Sequence, residues 1–407
     1  MFRKKANFIF LFYSTIMGRD FYDIYNIEQK EIEFFIKERE EEYLKKLNKK
    51  IQNADLMSEL KQMKEKNVVD NNYELIELFC ENFKTNLHII FKKNKTKYNK
   101  NKNYSFNNLN DNFDIKVKNG VLFVSDIHAD AERLKCIWYL FDKLKKEDKV
   151  EKIIFLGDYG DRGEYWLYTY FLLSAMTDFY IGDEKQNEVI FIRGNHEDIK
   201  IAERYCGEKV LGVLIKKGNL FCDIWDKMFL TGIININNKR IFCSHGALPI
   251  DIQGDFVEKD KYNCYYSNWN DISFNKIKIE YSPRGAGVLV PVTFTNKIMK
   301  ENNINICVHG HCHENKCAHL ENERKIITVV SNDIYYQYGH PFLGSVYMIT
   351  LNKNKDLCGT FIQISQQKNE KLLEKVYSLP RCFQTNISQG QNYVECKLED
   401  FLRKNTN

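Results

Sequence analysis

The first quarter of the chain is patterned as amphipathic helix. Apolar residues recur four or seven positions apart, which places them on one helical face: Ile32, Ile36, Tyr43, Leu47 and Ile51. A second amphipathic segment covers residues 73–91. Glutamates at 38 and 40–42 precede Lys45 and Lys46, a spacing that forms i,i+4 ion pairs on a solvated face. We predict a helical N-terminal extension over residues 1–92, whose apolar face packs on the rest of the chain or on a protein partner.

Beyond the extension the pattern changes twice. Residues 93–112 are rich in Lys and Asn and predict a flexible linker. From Phe113 onward, short β-branched and aromatic runs of a predicted sheet appear at 121–126, 152–158, 188–195, 240–245, 305–311, 325–331, 345–351 and 360–364.

Helical segments separate the early runs, as after Ala131, whereas the later runs follow one another closely. Strands that alternate with helices predict an α/β fold with a sheet covered on both faces, and the later part is expected to be more antiparallel. Residues 366–407 form a polar C-terminal tail with weak helical patterns at 369–377 and 395–403.

Composition and charge narrow the class of protein. The 407 residues are 43% hydrophobic and 14% aromatic, which provides a sizeable core and excludes wholesale disorder. Sixty basic against 55 acidic residues give a net charge of +5, too mild to indicate nucleic-acid binding. No apolar run reaches the roughly 20 residues of a membrane span, so none is predicted.

Cysteine usage and the N-terminus bear on location. The 12 cysteines are scattered without a C-x-x-C pair, which predicts free thiols in a reducing, cytoplasmic compartment. Basic residues at 3–5 precede an apolar stretch from Phe8 to Met17, which resembles a short signal peptide. The stretch lacks a good small-residue cleavage site, so we expect no secretion.

Five of the predicted strands end in residues suited to metal binding. The strand ends are Ser125-Asp126-Ile127-His128, GDYGDRG at 157–163, RGNHE at 193–197, Ser244-His245-Gly246 and HGHCH at 309–313. Ligands of α/β proteins bind outside the carboxyl ends of the strands, so these segments are expected to converge on one crevice.

The residue types at these ends indicate a two-metal centre. The candidate ligands mix carboxylate, amide and imidazole groups: Asp126, His128, Asp158, Asn195, His245 and His311. Such a set suits Mn, Fe or Zn rather than Ca or Mg. Six ligands are too many for one ion with an open position, but they suffice for two ions bridged by a carboxylate and a water. A single His at a strand end is most simply a core or surface residue. That ordinary structural role does not explain five strand ends that each carry residues suited to metal binding.

The motifs GDYGDRG, RGNHE, SHGALP and SPRG, followed by a late His at a strand end, resemble in content and order those of the phosphoprotein phosphatase family, part of the calcineurin-like metallophosphoesterases. The resemblance covers about Gly120 to Ile364, and Trp269-Asn270-Asp271 is similar to the family's Trp-Ser-Asp. It implies a β-sandwich flanked by helices, here a catalytic domain at residues 113–365.

The resemblance also implies a role for each matching residue. Asp126 and His128 would bind the first metal, and Asp158 would bridge both metals. Asn195, His245 and His311 would bind the second metal. His196 and Asp161 would form the acid pair that protonates the leaving group. Arg162 and Arg284 would clamp the phosphate oxygens.

Three features depart from the family pattern. Ser125 and Ala129 replace two glycines around the first ligand pair, which we expect to have little effect. Residues 331–335 replace the Ser-Ala-Pro-Asn-Tyr loop beside the family's substrate groove. His313 resembles the second His of the superfamily's G-H-x-H, so it is either an additional ligand of the first metal or a neighbour of a ligand. Cys312 and Cys317 flank it, but their spacing matches no standard zinc pattern.

The resemblance implies a metal-dependent protein serine/threonine phosphatase that uses a hydroxide bridged between two metals and acts on a phosphoprotein or phosphopeptide. A dinucleoside tetraphosphatase and a phosphodiesterase remain alternatives, because related cores support both reactions. An inactive scaffold whose N-terminal helices recruit a partner is a further alternative. The intact Asp161, Arg162, His196 and Arg284 argue against the scaffold, and the two-arginine clamp favours a terminal phosphate over a diester.

Overall fold

The computed structural model describes residues 21–49, 55–66, 73–95, 112–181, 188–255, 267–313, 315–320, 324–332, 344–366, 381–384 and 394–396. The described residues begin with a strand and three helices: β1 (Phe21–Ile27), α1 (Gln29–Asn48), α2 (Leu56–Lys66) and α3 (Glu74–Asn94). The two predicted N-terminal helices are therefore present as α1 and α3. None of the helices in the described ranges is both long and apolar enough to cross a membrane.

The first sheet has six strands in the order β1-β15-β14-β3-β4-β5. Its members are β1 with β3 (Gly120–Val124), β4 (Lys152–Phe155), β5 (Val189–Phe191), β14 (Val346–Leu351) and β15 (Leu357–Gln366). Strands β3, β4 and β5 are parallel neighbours. All five residues of β3 are buried, as expected of a strand that is covered on both faces.

The second sheet has eight strands in the order β17-β16-β12-β13-β11-β7-β6-β2. They are β2 (Asn112–Val117), β6 (Thr231–Ile236), β7 (Lys239–Ser244), β11 (Ile306–His309), β12 (Lys316–His319), β13 (Lys325–Thr328), β16 (Arg381–Gln384) and β17 (Val394–Cys396). Strands β7, β11 and β13 are parallel neighbours. The two sheets and their flanking helices form the predicted α/β architecture.

A third sheet of three short strands lies in the order β8-β10-β9. Its strands are β8 (Asp271–Ser273), β9 (Glu280–Tyr281) and β10 (Val288–Pro291). The sequence pattern did not predict these strands, because two to four residues are too few to show a period of two.

The body of the chain contributes five further helices: α4 (Ala131–Lys146), α5 (Trp166–Tyr180), α6 (Ile199–Tyr205), α7 (Gly207–Trp225) and α8 (Val292–Glu301). Asp130 caps α4 by accepting a hydrogen bond from the Arg133 amide at 3.0 Å. Three lysines in its last turn complement the helix dipole. Asp198 caps α6 in the same way, directly after the RGNHE segment.

The N-terminal helices pack on the body through their apolar faces. The Phe83 ring of α3 lies 5.2 Å from that of Phe191 in β5, measured between centroids. The Tyr43 hydroxyl of α1 lies 2.6 Å from Ser174 Oγ of α5. Lys46 donates to Asp178 of α5 at 2.6 Å. Of the two expected arrangements, the described residues show packing on the chain itself, so the extension shares one hydrophobic core with the sheets.

The predictions for the linker at 93–112 and for the C-terminal tail are partly corrected by the structure and partly lie outside the described residues. The predicted linker at 93–112 is largely outside them, but α3 continues to Asn94 and β2 begins at Asn112. In the tail, Val394–Cys396 is a strand where the pattern predicted a helix from 395. Its pairing with β16 supplies hydrogen bonds that a local pattern does not reveal. The second helical pattern, at 369–377, lies outside the described residues, and the proposed domain boundaries stay a prediction.

Candidate metal centre and active site

Five loops that follow parallel strands meet at one edge of the two sheets. Strands β3, β4 and β5 bring the segments after Val124, Phe155 and Phe191 side by side. Strands β7 and β11 do the same for the segments after Ser244 and His309 in the other sheet. The convergence predicted from the strand ends is therefore present, and it collects residues that are as far apart in sequence as Asp126 and His311.

The backbone of these loops is unusually constrained. Six predicted site residues have φ between 47° and 65°, a left-handed region that non-glycine residues rarely adopt: Asp126, His128, Asp158, Asp161, Arg162 and His311. Each such residue costs on the order of 1–3 kcal/mol, and such strain concentrates at functional sites. Gly157 has a φ of 116°, and a Cβ there would lie 2.5 Å from Gly194 Cα, so only glycine lets the two loops meet.

Two groups of potential ligands form where the loops meet. Ligand atoms of Asp126, His128 and His313 lie within 4.8 Å of one another. Those of Asp158, His245 and His311 form a second group by the same measure. All but His313 are buried.

Asp158 lies between the two groups. Its Oδ2 is 3.6 Å from His128 Nε2, and its Oδ1 is 3.3 Å from His245 Nε2. Asn195 completes the second group, because its Oδ1 is 2.8 Å from His245 Nε2 and 3.0 Å from His311 Nδ1. One carboxylate thus presents a different oxygen to each group.

Buried atoms and charges of this centre suit a cation. Asp126 Oδ1, Asp158 Oδ2 and His311 Nε2 are buried and have no hydrogen-bond partner among the described residues. Unsatisfied buried oxygens and nitrogens are costly, and metal coordination is one way to satisfy them. Burial would lower the pKa of His245, but the charge and hydrogen bond of Asp158 and the charges of Asp126 and Glu197 together outweigh it and raise the pKa to about 9. The pocket therefore attracts positive charge, and its donor atoms fit metal ions.

His311 and His313 are held in the neutral form that binds metals. Burial, and after it the neighbouring His245, lower the pKa of His311 well below its usual value. Burial, and then the charge of His128, lower the pKa of His313 to about 2. A neutral imidazole has a lone pair free for a metal ion, whereas an imidazolium does not.

His196 and Asp161 form a hydrogen-bonded pair next to the two groups. His196 Nδ1 bonds to Asp161 Oδ2, and the other oxygen of Asp161 lies 2.9 Å from His128 Nδ1. Burial lowers the pKa of His196, but the charges of Asp158 and Asp161 outweigh it, so the pKa is raised. Arg162 opposes this, because its Nη2 lies 3.0 Å from His196 Nε2 and a guanidinium can only donate. The net upward shift of the pKa favours the protonated form of His196, although Arg162 opposes it.

The two predicted clamp arginines flank the centre. Arg162 contacts His196, and its Nη1 lies 3.4 Å from His313 Nε2. Arg284 donates from Nε to Asp271 Oδ2 at 3.1 Å. The other oxygen of Asp271 is 3.8 Å from His311 Nε2, so Asp271 links Arg284 to the second group of ligands. All eleven predicted site residues are joined by these contacts.

Several residues that support the site had no role assigned from the sequence. Glu197 is buried and accepts hydrogen bonds from the amides of Asp158, Tyr159 and Gly194 at 2.8, 2.9 and 2.8 Å. It therefore ties the GDYG and RGNHE loops together. Ser125 donates to Asp126 Oδ2 at 2.5 Å, where the family has glycine. An acidic residue directly after Asn195 and His196 was the available signal for Glu197, but its three partners are set by the fold.

The flanking cysteines do not join the centre. Cys312 donates from Sγ to Asp271 Oδ1 at 3.1 Å. Cys317 is buried in β12, with its Sγ 3.5 Å from His319 Nε2. In the ranges that the structure covers, no cluster of three or more potential ligands includes a cysteine.

The chain is similar to known phosphoesterases. Residues 120–315 match the model of the calcineurin-like phosphoesterase family, which confirms the resemblance that the motifs predicted. The chain is 26% identical over 255 residues to a putative serine/threonine-protein phosphatase of Schizosaccharomyces pombe, covering 59% of this chain and 78% of that protein. It is 30% identical over 217 residues to the serine/threonine-protein phosphatase 4 catalytic subunit of Saccharomyces cerevisiae, covering 48% of this chain and 63% of that protein.

Among solved structures, a protein serine/threonine phosphatase of Saccharomyces cerevisiae with similarity to human PP5 superposes with a TM-score of 0.49 at 15% identity. The match covers 72% of this chain and 91% of the other. The family match and the sequence relatives together confirm the predicted enzyme class, a phosphoric ester hydrolase.

Proposed function

We propose that the chain is a metal-dependent phosphomonoester hydrolase that acts as a protein serine/threonine phosphatase. The observation that carries the proposal is the position of Asp158, whose two oxygens face two separate groups of ligands. A shared carboxylate is the signature of a two-metal site. The His196–Asp161 pair and Arg162 lie directly against it, so metal ligands, an acid and a phosphate-binding group occur together.

The proposed metal sites follow from the two groups of ligands. Asp126, His128 and Asp158 would hold the first ion, with His313 as a further candidate ligand. Asp158, Asn195, His245 and His311 would hold the second. The mixed donor set favours Mn, Fe or Zn. Two such ions, when bound, neutralise charge on a phosphate and make water acidic enough to ionise near neutral pH.

His196 would supply the proton that the leaving oxygen needs. A serine or threonine alkoxide is a poor leaving group, so its departure requires a general acid. The carboxylate of Asp161 accepts from His196 Nδ1, which fixes the ring and leaves Nε2 to face the substrate. The raised pKa of His196 favours the protonated ring that this role requires.

Arg162 and Arg284 would bind the phosphate oxygens. A guanidinium matches two oxygens of a phosphate and stabilises charge that spreads over them during transfer. The Arg162 side chain is half-buried and the Arg284 side chain is exposed, so both can reach a bound group. Asp271 orients Arg284 by accepting from Nε, which leaves its terminal nitrogens available. When a phosphate enters, Arg162 would exchange its contact with His196 for the phosphate and so release Nε2 of the ring.

The similarity to two serine/threonine phosphatases favours a phosphoprotein or phosphopeptide over a dinucleoside tetraphosphate. The paired arginines favour a monoester over a diester, because a diester offers fewer charged terminal oxygens. Cytoplasmic location and binding of a protein partner by the N-terminal helices are retained as predictions. Phe34 of α1, Met57 of α2 and Ile89 of α3 are exposed apolar side chains that such a partner would meet.

One substrate panel tests the proposal. The full-length protein with Mn²⁺ is offered a phosphoserine peptide, an aryl phosphate, an aryl phosphodiester and a dinucleoside tetraphosphate. We expect hydrolysis of the peptide and the aryl monoester, with kcat/KM at least tenfold above that of the other two. A preference for the tetraphosphate or the diester would overturn the proposal and assign that hydrolytic activity to the protein instead. No hydrolysis of any substrate by metal-loaded protein would favour the inactive scaffold.

A further inference from the structure

A short hairpin presents the proposed phosphate clamp. Strands β9 and β10 are antiparallel, with Tyr281 opposite Val288. The turn between them is closed by a hydrogen bond from the Ser282 amide to the Gly287 carbonyl at 3.1 Å. Arg284 lies on this turn and is tied to Asp271. Tyr281 therefore lies at the base of the turn, three residues before the clamp.

Two large apolar side chains on this segment face solvent. Tyr281 is 75% exposed and Ile277 is 88% exposed, whereas Val288, which is paired with Tyr281, is fully buried. One exposed apolar residue is ordinary, but two on a segment that leads to a phosphate-binding arginine suggest a contact surface. Lys276 and Lys278, both exposed, flank Ile277. Lys276 pairs with the exposed Glu280 at 2.6 Å, so the segment carries charges of both signs beside its apolar groups. Its two apolar side chains are the groups that complement an apolar peptide.

Chain geometry brings this surface within reach of a substrate. Three residues span at most about 10 Å, so Tyr281 lies no farther than that from Arg284 along the chain. An extended peptide advances about 3.3 Å per residue. A residue up to three positions from a clamped phosphoserine can therefore lie against the Tyr281 ring, and an apolar side chain there would bury part of it.

We propose that Tyr281, with Ile277, selects phosphorylated segments that carry an apolar side chain within three residues of the phosphorylated residue. The inference rests on the proposed phosphatase function and defines the class of substrate for the same site. Tyr281 contacts the flank of the substrate and takes no part in the chemical step. Its loss should therefore raise KM for one class of peptide and leave kcat nearly constant.

The test uses full-length, Mn²⁺-loaded protein and a series of phosphoserine peptides. A single Leu is moved from three positions before to three positions after the phosphoserine in a Gly/Ser background, and one peptide lacks Leu. We expect at least one Leu position to lower KM about fivefold to tenfold, as expected for one aromatic contact of an interface. Tyr281→Ala should remove this preference, and Tyr281→Phe should keep it. Ile215→Ala, at a 72% exposed position on α7, is the matched control and should keep it as well.

The outcomes separate this inference from the proposed function. Equal KM for all peptides in the unaltered protein would overturn the inference and leave the phosphatase function standing. A second outcome is that Tyr281→Ala reduces kcat/KM equally for the Leu peptides, the Leu-free peptide and an aryl phosphate. That result would also overturn the inference, because Tyr281 would then act by holding Arg284. Concentration-dependent dimers that Tyr281→Ala abolishes would assign the surface to a second copy instead. Absence of all phosphomonoester hydrolysis would overturn both proposals together.

Discussion

Asp161 has two imidazole partners, and this double contact distinguishes it from the other carboxylates of the centre. One oxygen lies 2.9 Å from His128 Nδ1, and the other bonds to His196 Nδ1. One side chain thus orients a proposed metal ligand and the proposed acid. A substitution of Asp161 would disturb both, so His196 is the position at which the acid can be tested alone.

His196→Asn removes the proposed acid and keeps a side chain of similar polarity. A general acid contributes roughly 10²–10⁴-fold, so kcat on a phosphoserine peptide should fall by about that factor. The loss should be much smaller for an aryl phosphate, because phenolate leaves without a proton. Steady-state kinetics on both substrates measure the difference. Metal content should be nearly unchanged, since the ligand is the neighbouring Asn195.

His88→Asn is the matched control for this variant, because His88 is exposed on α3, outside the site. It should leave both rates as they are. Equal losses on the two substrates for His196→Asn, with metals retained, would show that His196 is not the acid.

Glu197→Gln tests a residue that holds the site together without contacting a substrate. Its carboxylate accepts three backbone amides, whereas an amide side chain offers only one acceptor oxygen and turns an NH₂ group toward donors. We expect metal affinity to fall about 10–100-fold, as for other supports of metal ligands. Metal titration by calorimetry measures this. The matched control is Glu203→Gln, at an exposed position of α6, which should bind metal as the unaltered protein does. Unchanged metal affinity in Glu197→Gln would show that the hydrogen bonds of Glu197 do not support the metal ligands.

At the scale of elements, helix α3 is the N-terminal segment that the core depends on most directly. Nine of its residues are buried, and Phe83 lies fully buried against Phe191 of β5. Strand β5 leads into the RGNHE segment, so α3 supports the strand that positions Asn195 and His196. The sequence pattern correctly predicted an amphipathic α3. It could not distinguish packing on the chain from packing on a partner, because an amphipathic pattern indicates which face is buried and not what covers that face.

Phe83→Ala should therefore destabilise the whole protein. Truncating a fully buried Phe costs about 3–5 kcal/mol, because contacts are lost and a cavity is left. The shift in the denaturant midpoint, followed by fluorescence and circular dichroism, gives the free energy of unfolding. Ile89→Ala, at a partly exposed position of the same helix, should change that free energy by about 0.5 kcal/mol or less. A similar small change for Phe83→Ala would mean that α3 is only loosely attached.

At the scale of the whole molecule, the two sheets hold a centre in which several buried polar atoms have no hydrogen-bond partner among the described residues. Removal of metal by a chelator should abolish hydrolysis and lower the Tm, because an ion that binds only the folded state stabilises it. At a metal concentration 100 times Kd, each site contributes about 2.7 kcal/mol. Mn²⁺ should restore both properties and Ca²⁺ should not, given the imidazole ligands. Differential scanning calorimetry and activity assays measure the two effects.

Elemental analysis provides the stoichiometry. We expect two metal ions per chain in active protein. At limiting metal, the Asp158→Asn variant should retain about none, and the His128→Ala variant should retain about one. The difference follows from Asp158, whose oxygens face both groups of ligands, whereas His128 belongs to one group. Active protein that contains no transition metal would contradict the two-metal proposal.

The amino-acid sequence by itself determined which residues are candidates for the site and which strands carry them. A strand has a period of two and a helix one of 3.6, so β3, β4, β5, β7 and β11 could be recognised locally, and motifs such as GDYGDRG are contiguous. Only the tertiary structure decided how Asp158 faces both groups of ligands, how Asp161 holds two imidazoles and how Glu197 joins two loops. These arrangements depend on distances between segments up to 185 residues apart, as between Asp126 and His311. No local period encodes such distances, because they are set by which strands pair and by the core that holds the sheets together.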